Sequence, residues 1–269
     1  MFFSVCTEMI YPGERVEDRT AEVAAHGFDR IDIWNWRTKD QDALERQMRA
    51  RGVALNSFSG QSRSSTSVAS EKGRFLEELR ESIEFASRFD CERMMVYSER
   101  LIRPRAGSLS TIAPGARNEI ADDAKVRNIV DALTAGCDLA ESSGVTLLLE
   151  ALNNRDHPRY FLNGSASTLR IVRAVGRDNL KMLYDVYHMQ IAEGNVTETL
   201  VGNLDAIGFV HFADVPGRHE PGTGELHLPY ILRRLDEAGY AGGVGFEYSP
   251  SGPDGASLRA IQAVTAPYT

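Results

Sequence analysis

Four residues that close apolar runs have the types needed to hold a metal ion together. Glu150 ends VTLLLE, Asp185 ends LKMLYD, His211 lies within AIGFVHFAD and Glu247 ends GVGFE. An ionised carboxylate at the end of such a run is costly to bury unless it is paired or metal-bound. One such residue means little, because it can equally cap a helix or pair with an arginine. Four on consecutive runs form a pattern. Three carboxylates and an imidazole make an oxygen-rich ligand set, suited to Mn²⁺ or Mg²⁺, with Co²⁺ or Zn²⁺ admitted by the histidine.

Two neighbouring segments add groups that can handle a substrate. In YDVYHMQ, His188 follows Asp185 by three residues, at the turn into the next helix, where it can face the same cavity. The run ADVPGRHEPGTGE (213–225) is the most distinctive in the chain. Pro216, Gly217, Pro221, Gly222 and Gly224 predict a long irregular loop, and Arg218, His219, Glu220 and Glu225 decorate it, while Asp214 stands with His211 on the apolar run before it. The planar fork of Arg218 suits a substrate carboxylate or hydroxyls; the plainer alternative is a solvated surface turn. Other features are weaker. Trp34 and Trp36 either wall the pocket or pack between barrel and helices, and Glu8 follows the first strand. Asp156 and His157 lie just past Glu150 as supports, and QSRSSTS (61–67) reads as a mobile loop.

These residues need a scaffold, and the chain's rhythm supplies one. Strands are predicted at 2–6, 28–34, 53–58, 93–98, 145–153, 180–186, 206–214 and 243–248. Helices are predicted between and after them, at 16–26, 41–51, 72–89, 121–143, 165–175, 188–201, 228–238 and 257–264. A long loop containing Pro104, Gly107 and Pro114 follows the fourth strand. Several strands are apolar almost throughout, as strands covered on both faces should be. Eight βα units in 269 residues match a (β/α)₈ TIM barrel, read here as a single domain over 1–269. A doubly wound sheet would want a Gly-rich phosphate turn after the first strand, and none is present. In a barrel, Glu150, Asp185, His211 and Glu247 fall at the strand ends where catalytic groups gather.

Composition narrows the function classes. Hydrophobic residues make up 42% and charged residues 25%, which is ordinary for a globular chain able to bury its own core. The formal net charge of −8 argues against a nucleic-acid partner, which normally meets a basic surface. Cys6, Cys91 and Cys137 are odd in number and widely spaced, so they read as reduced, buried residues. No apolar run approaches membrane-spanning length, and MFFSVCTEMI lacks a basic flank and a cleavage site. The expectation is a cytoplasmic protein with no membrane partner.

The order Glu at strand five, D-x-x-H at strand six, His near strand seven and Glu at strand eight resembles the xylose-isomerase-like TIM-barrel superfamily. Within it the likeness is to the hydroxypyruvate isomerase group, carried by LYDVYHMQ, ADVPGRHEPGTGE, GYAGGVGFEYSP and NNRDHPRYFLN. It is strong over 145–250 and looser in the first half, at SVCTEMIYP and FDRIDIWNWRTKD. The resemblance implies a divalent metal held by Glu150, Asp185, His211 and Glu247. It implies Glu150 and Glu247 as the acid–base pair, and His188 and Arg218 as ligands of substrate oxygens. It also implies a homo-oligomer, since members are commonly dimers or tetramers. Position 211 departs from the group: hydroxypyruvate isomerases usually have Gln there, and ketose epimerases have His.

The implied reaction is a carbonyl shift between adjacent carbons of a small hydroxy-carbonyl substrate, hydroxypyruvate or a related oxo sugar acid, through an enediolate. Return of the proton to the same carbon from the opposite face would instead give a ketose 3-epimerase. A lyase or dehydratase acting on an oxidised sugar could use the same proton abstraction. An apurinic-site endonuclease needs a histidine-rich three-metal site and a basic face, against six histidines and a charge of −8 here.

Overall fold

The computed structural model of the chain describes residues 1–102, 111–112 and 121–269. Eight strands follow one another around a closed barrel: β1 (Phe2–Cys6), β2 (Arg30–Asn35), β3 (Ala54–Ser59), β4 (Arg93–Val96), β5 (Thr146–Glu150), β6 (Leu180–Asp185), β7 (Ile207–Phe212) and β8 (Gly243–Phe246). Each pairs in parallel with its neighbours, and β8 pairs back onto β1. The apolar strands fulfil their reading. Leu147, Leu148 and Leu149 of β5 are fully buried, as are Met182, Leu183 and Tyr184 of β6, because helices cover the outside of the barrel and side chains fill the inside.

Helices α1 (Val16–Ala25), α2 (Gln41–Arg51), α3 (Lys72–Phe89), α4 (Asp122–Ala140) and α5 (Ser165–Val175) serve the first five units. Their ends follow the local chemistry. Asp40 caps α2 by accepting from the Ala43 N–H at 3.0 Å, and α2 stops at Gly52, whose φ of 65° suits glycine. The predicted helix 188–201 is instead two: α6 (Val186–Ala192) and α7 (Val196–Val201). Between them Gly194 and Asn195 have φ of 69° and 49°, a left-handed backbone that a right-handed helix cannot pass through. Helices α8 (Leu228–Glu237) and α9 (Asp254–Thr265) complete the ring, and α9 starts three residues before the expected Ser257.

The strands at the barrel mouth are shorter than predicted, since the chain leaves the sheet and continues as extended loop. Asp214 and Glu247 therefore lie just past β7 and β8 rather than within them. The stretch after β4 contains a two-residue antiparallel pairing, Leu101–Ile102 with Thr111–Ile112. The expected loop residues Pro104, Gly107 and Pro114 lie outside the described residues.

The Ser-rich segment is corrected outright: it is packed, not loose. Ser64, Ser65, Thr66 and Ser67 are all buried. Buried Glu78 of α3 accepts from the N–H groups of Ser62 at 2.8 Å and Arg63 at 2.7 Å, and from the Ser64 hydroxyl. Glu71 takes the Ser65 N–H at 2.7 Å, and the Thr66 hydroxyl donates to the Tyr97 carbonyl at 3.1 Å. The hydroxyls of Ser64, Ser65 and Thr66 thus find partners inside the fold, Ser65 by accepting the Arg100 N–H at 2.8 Å.

Candidate metal centre and active site

The C-terminal ends of β5 to β8 converge. Ligand atoms of Glu150, Asp185, His211 and Glu247 all lie within 4.8 Å of one another, and all four residues are buried. The register accounts for the convergence. Asp185 is level with His211 across β6 and β7, and Gly245 is level with His211 across β7 and β8. A methyl group on Gly245 would lie 3.0 Å from the His211 ring and 2.9 Å from Asp32 Oδ2, so glycine at this position gives the imidazole its room.

Three carboxylates this close repel one another. Burial, then the charge of Glu247, pushes Glu150 up to about 8 even though His211 and Arg218 act against it. Asp185 is also raised, first by burial, with Arg218 and His211 offsetting part. Burial alone would lower His211, but the Glu247 carboxylate beside it, with Asp32 and Glu150, outweighs burial and lifts it to about 9. His211 Nδ1 lies 3.1 Å from Glu247 Oε2, yet neither ring nitrogen has an aligned hydrogen-bond partner. Crowded carboxylates and an unsatisfied buried imidazole are the environment a divalent cation would relieve, so these residues fit one.

The loop 213–226 delivers Arg218 to the same place. Its Nη2 lies 3.2 Å from Glu247 Oε2 and 3.6 Å from Asp185 Oδ2, its guanidinium sits 5.1 Å from the Tyr187 ring centre, and its buried Nε has no hydrogen-bond partner. Burial works against its charge, but Glu247 and Asp185 raise its pKa overall. Arg218 adopts φ of 57°, an uncommon conformation for a non-glycine residue, and is held there from both sides. Its carbonyl accepts from the Ser249 N–H at 2.8 Å, and Asp214 N–H donates to the His219 carbonyl at 2.8 Å.

Asp214 itself does not join the cluster of Glu150, Asp185, His211 and Glu247. It accepts from four backbone N–H groups, those of Val215, Gly222 and Gly224 at 2.9 Å and of Leu226 at 3.0 Å, and so ties the loop into shape. His219, Glu220 and Glu225 also hold the loop, through the Ser249 carbonyl, Ser251 and Gln190.

His188 is fully buried on α6, with Nε2 3.6 Å from Asp185 Oδ2. Burial, then the charge of Arg218, holds its pKa well below the usual imidazole value. Asp185 also caps α6 by accepting the His188 N–H at 3.2 Å, so one carboxylate both faces the centre and sets the helix that carries His188. The two tryptophans part company. Trp34 Nε1 donates to Glu247 Oε1 at 2.6 Å, whereas Trp36 stacks on Phe85 at 4.8 Å in the helix layer. Glu8 pairs with Lys39 at 2.8 Å and accepts the Trp34 N–H at 2.8 Å. Sequence reading missed Asn153, which reaches His188, and Tyr187, which lies under Arg218. Both stand in the flagged motifs NNRDHPRYFLN and YDVYHMQ, but neither residue type announces itself as a support.

A protein-family model described as Xylose isomerase-like TIM barrel matches residues 20–265. Over 263 residues the chain is 32% identical to 2-oxo-tetronate isomerase of Cupriavidus necator, covering 95% of each chain. It is 38% identical over 131 residues to hydroxypyruvate isomerase of Escherichia coli, covering 49% of this chain and 51% of that one. Among solved structures, one described as AP endonuclease, family 2, from Brucella melitensis superposes with a TM-score of 0.86 at 24% identity, over 99% of this chain and 98% of the other, a likeness of fold.

Proposed function

Because the chain belongs to the xylose isomerase-like TIM-barrel family, we propose that it is a divalent-metal-dependent isomerase of a small oxo acid, hydroxypyruvate or a 2-oxo-tetronate-like compound. The observation that carries this reading is the buried convergence of Glu150, Asp185, His211 and Glu247 with the Arg218 guanidinium against it. Relatives named for isomerisation of oxo acids, one aligned over 95% of both chains, support the substrate class.

Glu150, Asp185, His211 and Glu247 would hold Mn²⁺ or Mg²⁺. A divalent cation in that place would polarise the substrate carbonyl and stabilise the negative charge that builds on its oxygens. The remaining chemistry belongs to the side chains. One of Glu150 and Glu247 removes the proton from the hydroxyl-bearing carbon, and a proton returns to the neighbouring carbon, while the hydroxyl proton passes to the former carbonyl oxygen. No atom is gained or lost, and hydroxypyruvate becomes tartronate semialdehyde. Arg218 takes the substrate carboxylate, and His188 donates to a substrate oxygen.

His211 favours a second reading, a ketose 3-epimerase. The test is proton NMR in D₂O of the metal-loaded enzyme with hydroxypyruvate and, separately, free ketoses. Deuterium entering hydroxypyruvate with tartronate semialdehyde appearing is the expected result. Exchange confined to C3 of a ketose would move the chain to epimerisation. Silence on both substrates with metal bound would overturn both readings and bring forward a lyase acting on an oxidised sugar.

A further inference from the structure

The loop after β5 holds the ring of His188 in a defined chemical form. Asn153 is fully buried, three residues past Glu150. Its side-chain Nδ2 lies 2.6 Å from His188 Nδ1, and its backbone N–H donates to the same nitrogen at 3.3 Å. The amide cannot be turned round, because its Oδ1 already accepts the Asp156 N–H at 2.8 Å and its Nδ2 also donates to Asp156 Oδ2 at 3.1 Å. Asp156 is fixed in turn by the Tyr187 hydroxyl at 2.6 Å. With two donors aimed at it, His188 Nδ1 can only accept. The ring proton is then on Nε2, which is buried beside the metal ligands and has no hydrogen-bond partner of its own.

We propose that Asn153 is a positioning residue that locks His188 as the neutral Nε2–H tautomer, making it a fixed hydrogen-bond donor to a substrate oxygen rather than a proton carrier. The relay Tyr187–Asp156–Asn153–His188 starts on α6 and returns to it through the β5 loop, so the ring and its support are braced against the same helix. A donor that never gives up its proton can steady charge on a substrate oxygen without competing with the two glutamates for the carbon-bound proton. This inference rests on the reading of His188 as a substrate ligand, and the experiment separates the two.

The experiment is ¹⁵N NMR of histidine-labelled, Mg²⁺-loaded protein, with His188 assigned by loss of its signals in His188→Gln. A pyridine-type Nδ1 and a pyrrole-type Nε2 are expected, and a ring protonated on Nδ1 would overturn the proposal without any activity being measured. In Asn153→Leu, at matched metal content and thermal stability, both tautomers should appear and kcat should fall about tenfold, the usual scale for a lost supporting contact. An unchanged tautomer in that variant would overturn the proposal. A mixed tautomer with unchanged turnover would uphold the hold of Asn153 on the ring and overturn the reading of His188 as a substrate ligand.

Discussion

Glu150 and Glu247 are chemically alike but differently surrounded. Glu247 takes the Trp34 indole on one oxygen and faces Arg218 and His211 with the other, while Glu150 is raised by burial and by its acidic neighbours. Replacing either by Gln keeps the shape and removes the carboxylate proposed to transfer the proton. Turnover should fall by at least about 10²-fold, the scale of a positioned acid or base. Metal content measured alongside separates lost chemistry from lost metal, and near-normal kcat in a metal-replete variant would take that glutamate out of the acid–base pair. Arg218→Ala should raise KM for an oxo acid by far more than for a neutral ketose, since only the acid offers a carboxylate to the guanidinium. An equal effect on both substrates would contradict carboxylate recognition. His211→Gln brings in the residue that hydroxypyruvate isomerases usually carry, and metal analysis after exchange should record a changed metal preference.

The loop that carries Arg218 behaves as an element in its own right. It has no regular secondary structure, yet Asp214 gathers four of its N–H groups and Glu225 N–H donates back to the Val215 carbonyl at 2.7 Å. Gly224 sits inside that knot. A methyl group there would fall 2.0 Å from the Val215 carbonyl oxygen, so the backbone must move to admit it. Gly224→Ala should cost about 1–3 kcal/mol of stability, as overpacking does, and displace Arg218. The expected signature is a loss in kcat/KM together with a lower Tm at unchanged metal affinity. Full activity would show that the loop can shift without moving the guanidinium. Helix α6 is the companion element. Its cap is Asp185 and its first turn carries Tyr187 and His188, so the site and the helix start are set by the same residues.

At the scale of the whole molecule, the curvature of the barrel gathers the ends of the consecutive strands β5 to β8 and so holds Glu150, Asp185, His211 and Glu247 together, while closing β8 onto β1 brings Trp34 to Glu247. That confinement stores repulsion that a cation would release. Loading with Mn²⁺ at about 100 times its Kd should stabilise the fold by about 2.7 kcal/mol, read as a rise in Tm over chelated protein. The gain should grow with pH. Glu150, raised to about 8, and His211, raised to about 9, both bind protons more tightly folded than unfolded, so metal-free protein loses stability as pH climbs through that range. His188, lowered from 6.5, acts oppositely but only up to about that pH. Melting curves from pH 6.5 to 9 should therefore diverge with and without metal, and parallel curves would mean the crowded groups do not titrate there.

The eight-unit rhythm was legible in the sequence because strands buried on both faces must be written as apolar runs, and VTLLLE and LKMLYD end in the groups that a barrel mouth collects. That Arg218 would reach the cluster was legible because a loop rich in Pro and Gly follows the strand that carries His211. What the letters did not carry was decided by contacts beyond the immediate neighbours, from 8 residues apart for Asp214 and Gly222 to 213 apart for Trp34 and Glu247. Asp214 has the type and place of a ligand, and only the folding back of Gly222, Gly224 and Leu226 makes it a loop anchor. QSRSSTS has the composition of a mobile loop, and only the buried carboxylate of Glu78 makes it part of the core. Trp34 and Trp36 are two residues apart, yet one reaches Glu247 just past β8 and the other stacks on Phe85 of α3. Local composition sets strands, helices and turns because those depend on near neighbours. Which polar group meets which partner depends on where the tertiary fold places them, and for Trp34 and Glu247 that is settled only when the eighth strand meets the first.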